Sequence, residues 1–201
     1  MNEQIWWYVA RASGITAWLL LTASVLWGIV LSTDLFPRHR RPAWLLDLHR
    51  ALAALTIGFL GVHVGSLIAD GYVQFDIIDV LVPFASAWKT WQVALGVFAF
   101  WGLVIVEATS LTMRRIPRRV WRAIHFTSYA TFLLTSLHGT FAGTDATQPL
   151  YVGTSVVTTL ALVFAIVYRI LSRRPPRPVT ATTGDRESPT AAARPTAQSH
   201  M

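Results

Sequence analysis

Trp121–Gly139 reads WRAIHFTSYATFLLTSLHG and would suit lipid along most of its length, yet it keeps His125 and His138, thirteen positions apart. A second stretch, Leu48–Gly65, reads LHRALAALTIGFLGVHVG and repeats the layout with His49 and His63, fourteen apart. At a helical rise of about 1.5 Å per residue the two gaps span about 20 and 21 Å. No single metal ion bridges that distance. A chelate on one helix needs ligands three or four positions apart. Each stretch therefore offers one imidazole at each of two depths.

The rest of the chain says what surrounds these helices. Of its 201 residues, 53% are hydrophobic and 13% are charged, against about 25% charged in soluble domains. Nine tryptophans suit the membrane interface. The net charge of +7 does not point to nucleic acid, because the arginines cluster between apolar runs, where a membrane topology places them. There is no cysteine, which excludes disulfides, cysteine-held iron–sulfur clusters and covalently attached c-type haem. No Walker loop or GxGxxG follows a strand pattern, so no nucleotide-binding domain is expected.

Five segments are long and apolar enough to span the bilayer, about 6–31, 43–68, 91–111, 119–141 and 150–171. Pro42, Pro117 and Pro149 precede three of these starts, where a missing N–H costs nothing. The expectation is an all-α integral membrane protein, a bundle of about five transmembrane helices over residues 1–172. The first segment lacks a basic n-region and is read as a retained helix rather than a signal peptide. Residues 173–201 are rich in Pro, Thr, Ala and Arg and are expected to form a disordered cytoplasmic tail. Arg38, Arg40 and Arg41, then Arg114, Arg115, Arg118 and Arg119, then Arg173, Arg174 and Arg177 follow alternate helices. The other connections hold Asp70, Asp76, Asp79 and Asp145, with Lys89 the single base. The positive-inside rule then predicts the N-terminus outside and the C-terminus in the cytoplasm. In the loop 70–90, DIIDVLVPF is expected to form a short surface helix ended by Pro83.

With this topology the two histidine helices run in the same direction. His49 and His125 lie near their cytoplasmic starts, and His63 and His138 lie deep towards the outer side. Two inter-helix pairs result. A facing imidazole pair suits the axial ligation of noncovalent haem, and bis-histidine ligation leaves no open position, which favours electron transfer. The phases differ. Fourteen steps of about 100° keep His63 within about 40° of His49, whereas thirteen leave His138 about 140° from His125 on a straight helix. The helix over 119–141 is therefore predicted to bend or twist. The rival reading takes the histidines as packing residues of a non-redox membrane scaffold or transporter. His39 and His200 are given no role.

H-x13-H on one helix, H-x12-H on another and WRAIH opening the second resemble the ferric reductase-like transmembrane domain superfamily. That superfamily includes NADPH oxidases, ferric-chelate reductases and the membrane subunit of the periplasmic methionine sulfoxide reductase. RASG at Arg11–Gly14 and SYATF support the resemblance, which covers about residues 7–145. It implies two b-type haems, with His49 and His125 on the inner iron, His63 and His138 on the outer, and electron flow outward. Three departures are visible. Leu67 stands where the oxidases carry a further histidine, and no flavin and NADPH domain is fused here. The family usually has six helices, against five counted. The electron donor is then expected to be a separate cytoplasmic flavoprotein or a membrane quinol, with FMN or FAD on a partner or at the cytoplasmic face left open. The acceptor is a ferric chelate or a periplasmic redox protein that this chain serves as a subunit, and the location is the bacterial cytoplasmic membrane.

Side chains are expected to hold and tune the haems, so no catalytic residue is named. Arg11 is expected to serve the outer haem propionates, or else to snorkel to headgroups. Arg50 and Arg122 are candidates for the inner propionates or for lipid phosphates. Glu107, inside a helix, is expected to bond a ligand N–H, to pair with an arginine or to take up protons at a quinol site. Tyr129 is a candidate haem-edge hydrogen-bonder or a core residue.

Overall fold

The computed structural model describes residues 4–33, 42–71 and 74–172. Among them the regular elements are all helical: α1 (Gln4–Ser32), α2 (Trp44–Ala69), α3 (Ile77–Leu81), α4 (Thr90–Leu111), α5 (Arg118–Phe126), α6 (Ser128–Ala142) and α7 (Pro149–Leu171), with a 3₁₀ turn at Met113–Arg115. Four helices, α1, α2, α4 and α7, are long and apolar enough to cross a membrane. The expectations for Arg38, His39, Arg40 and Arg41, and for the tail 173–201 with His200, lie outside the described residues.

The expected span over 119–141 is the one that differs. The chain over 119–141 is not one helix but two, α5 and α6, joined at Thr127. Thr127 has φ −66° and ψ −12°. Its N–H and its Oγ1 both reach the Ile124 carbonyl oxygen, at 2.9 and 2.6 Å. A Thr-Ser pair supplies hydroxyls that compete for backbone groups, and such pairs are where helices tighten or kink. The break falls between His125 and His138, on the helix whose histidines are out of phase.

α1 packs along α2, and α4 along α6; α1 also touches α6 and α7, and α2 touches α4. The four helices α2, α1, α6 and α4 thus form a ring, in which the histidine helices α2 and α6 lie across from one another. Trp18, Leu21, Val25 and Ile29 of α1 make the main core with Phe132 of α6 and Leu162 of α7. Large apolar side chains remain on the outside, among them Leu55 of α2 and Val157, Phe164 and Leu171 of α7. In lipid such a face costs nothing to expose, and the association of these helices rests on packing and polar contacts.

The loop before α4 carries the expected short helix. In α3, Asp76 and Asp79 form a capping box, with the Asp76 N–H donating to Asp79 Oδ2 at 2.9 Å. The loop is pinned to α4. Trp101 donates to the Leu81 carbonyl at 2.8 Å, Phe75 packs on Val93 and Val97, and Phe84 meets Trp91 and Phe98 edge-on. Beside it, Lys89 adopts φ 42° and donates to the carbonyls of Phe141 and Ala142 at the end of α6, at 3.3 and 3.1 Å, which satisfies acceptors that the helix end leaves open.

Candidate functional site

The space inside the helix ring is where the histidines point. His49 of α2 and His125 of α5 face one another with ring centroids 6.1 Å apart and planes 73° apart. Two imidazoles that bind one metal ion through bonds of about 2 Å place their centroids about 6 Å apart. Towards the other end of the ring, His63 of α2 and His138 of α6 line a shared cavity of about 210 Å³, whose wall is mostly apolar and includes Trp18, Leu60, Thr56 and Phe100.

Each ring is held from behind. His63 Nδ1 lies 2.7 Å from the Ala10 carbonyl oxygen, and His138 Nδ1 lies 2.7 Å from that of Gln92. A carbonyl only accepts, so in both residues Nδ1 carries the proton and the Nε2 lone pair is free to bind a metal. His49 Nδ1 faces Ser24 Oγ at 3.3 Å, and His125 Nδ1 faces Ser110 Oγ at 3.5 Å, the outer limit of such a bond.

Glycines make room for this. A Cβ at Gly14 would stand 2.9 Å from His63 Nδ1, one at Gly96 2.7 Å from His138 Nδ1, and one at Gly28 3.3 Å from His49 Cε1. Each glycine follows by four residues the one whose carbonyl or hydroxyl meets the imidazole: Ala10 and Gly14, Ser24 and Gly28, Gln92 and Gly96. In a helix that spacing is one turn, so acceptor and notch form one slot for one ring. His125 has no glycine; Trp121 stacks on it at 5.0 Å and 23° instead. The Trp121 Nε1 is buried and has no hydrogen-bond acceptor among the described residues.

The other sequence candidates divide. Arg11 lines the His63–His138 cavity but is held by Asp145, Nε donating to Oδ2 at 2.9 Å and Nη2 to Oδ1. By sequence Asp145 is one of the acids of an outer connection. Arg50 is exposed and reaches Asp47 at 3.4 Å, and Arg122 is exposed. Glu107 is half-buried one turn before Ser110 and forms no ion pair among the described residues. Tyr129 packs against the main core and its hydroxyl accepts from Arg169 Nη1 at 2.6 Å, with the same guanidinium 5.2 Å from the Phe126 ring centre.

Sequence reasoning missed Ser24, Ser110, Gly28, Gly96 and Arg169, and Trp121 enters it only within WRAIH and as an interface residue. One signal was available: Gly14 and Gly28 are fourteen apart, the same interval as His49 and His63. RASG was noticed, but only as a resemblance.

Residues 13–136 match the family described as ferric reductase like transmembrane component. The chain belongs to this family. The matched span contains His49, His63 and His125, with the notches Gly14, Gly28 and Gly96, and stops two residues before His138. Membership implies electron transfer across a membrane by a multi-pass protein. No curated protein and no solved structure matches the chain.

Proposed function

We propose that this ferric reductase-like protein carries electrons across the bilayer through two b-type haems, one held by His49 and His125, the other by His63 and His138. The observation that carries the reading is the pair of opposed imidazoles on non-adjacent helices. His63 and His138 have their Nδ1 turned to fixed carbonyls and their Nε2 left for a metal, and His49 and His125 have their Nδ1 facing serine hydroxyls. The glycine slots fit a bulky group inside the ring, because they let the imidazoles lie back against α1 and α4. Beside His125, the buried Trp121 N–H lacks an acceptor, and a group bearing carboxylates would supply one.

When bound, haem supplies one-electron chemistry. The protein's part is to hold and surround it. Ala10 and Gln92 orient His63 and His138 and strengthen them as donors through their Nδ1–H bonds. Trp18, Leu60 and Phe100 keep water from the middle of the ring. Arg11, at the cavity edge, would balance carboxylates there while Asp145 holds its guanidinium in place.

The His49–His125 end is taken as cytoplasmic, because Arg114, Arg115, Arg118 and Arg119 cluster beside α5. Electrons would enter there from a separate flavoprotein or a membrane quinol. They would leave at the His63–His138 end to a ferric chelate or a periplasmic redox partner. Protein purified after expression with ample haem is expected to show a Soret band, a dithionite-reduced α-band and two haems per chain. Protein that lacks both bands under those conditions would end this reading. Rapid reoxidation by ferric chelates would select direct reduction over a dedicated partner.

A further inference from the structure

The two imidazole pairs are held by different chemistry. His63 and His138 face backbone carbonyls at 2.7 Å, whereas His49 and His125 face serine hydroxyls at 3.3 and 3.5 Å. A helix carbonyl is fixed and can only accept. A serine hydroxyl can accept as well as donate, and that of Ser110 donates to the Val106 carbonyl at 2.7 Å, which leaves its oxygen to accept from His125. The short carbonyl bonds pull the Nδ1 proton and make the opposite nitrogen a stronger donor, whereas the long hydroxyl contacts do so weakly. Position adds to the contrast. Ser24 is buried on α1 and Ser110 is half-buried on α4, so the hydroxyls approach the pair from the two helices that flank it in the ring.

We infer that Ser24 and Ser110 are positioning residues for the His49–His125 site, and that their hydroxyls, by accepting from Nδ1, hold its reduction potential below the value it would have without them. The inference rests on the haem reading above. A strongly donating imidazole favours the ferric state and lowers the potential, so a weakly held one leaves it higher. The serine hydroxyls still accept from Nδ1, and removing them raises that potential.

The test is a spectroelectrochemical titration of the full chain with haem bound, in wild type, Ser24→Ala, Ser110→Ala and the double variant. The first expectation is two haems per chain in every case, read from the reduced α-band, which separates a failure of the haem reading from a failure of this one. In the double variant one component is expected to move upward while the other stays, the one that moves being the component that remains in His63→Leu. Ser24→Thr and Ser110→Thr, which keep the hydroxyl, are expected to stay closer to wild type than the alanine variants. The inference is overturned if both components stay still in the double variant, if the component that remains in His63→Leu stays while the other moves, or if both move together. It is overturned equally if the threonine variants behave like alanine.

Discussion

The ring of His138 lies so close to Gly96 that a Cβ there would stand 2.7 Å from both its Cε1 and Nδ1 and 3.1 Å from its Cγ. Because Cγ is the root of the ring, the whole imidazole would have to move, and the 2.7 Å bond to the Gln92 carbonyl would be lost with it. Overpacking of this kind typically costs about 1–3 kcal/mol. Gly96→Ala is expected to lower haem content at one site only, from two haems per chain towards one, read by pyridine haemochrome assay. Gly58, with nothing within 4 Å of its built Cβ, is the control: Gly58→Ala is expected to keep both haems.

Independence of the two sites follows from the separation of the pairs along the bundle. His63→Leu or His138→Leu is expected to remove one component of the reduced spectrum and spare most of the other. Loss of both from either substitution would show that one site cannot form without its neighbour.

Arg11 and Asp145 tie α1 to the loop between α6 and α7 with two hydrogen bonds. Their side chains are 33% and 19% exposed, between the surface and buried regimes, so a coupling of about 1–3 kcal/mol is expected. A double-mutant cycle with Arg11→Gln and Asp145→Asn, read by thermal unfolding in detergent, measures it. A coupling near zero would mean that the pair forms without contributing to stability.

Tyr129 tests a different role. Its hydroxyl is taken by Arg169, and hydrogen bonds to charged groups contribute about 1.5–3 kcal/mol. Tyr129→Phe is therefore expected to lower the unfolding temperature and leave both haem components in place. A lost or shifted component would instead return Tyr129 to the haem edge.

Periodicity and polarity carried much of this molecule. The apolar spans, the arginine-rich connections and the fourteen-residue interval between His49 and His63 are one-dimensional patterns, and the lipid solvent makes each of them costly to violate. The phase mismatch between His125 and His138 was also legible, since helical geometry alone requires a distortion between them. Its form was not. Thr127 is one of many threonines in these helices, most of which bond back to the preceding turn without interrupting it.

What the sequence by itself determined is that four imidazoles stand in two widely spaced pairs within apolar stretches, where leaving them without partners is costly. Only the tertiary structure decided who those partners are. Gly14 and Gly96 were not recognisable as slots until α1 lay against α2 and α4 against α6. Ser24 and the carbonyls of Ala10 and Gln92 meet their imidazoles by the same contacts, and Ser110 meets His125 where α4 lies against α5. Asp145 rather than open water meets Arg11 because the loop after α6 folds back over α1. Such groups act through close approach between segments far apart in the chain, and no local pattern of residues encodes which surfaces will meet.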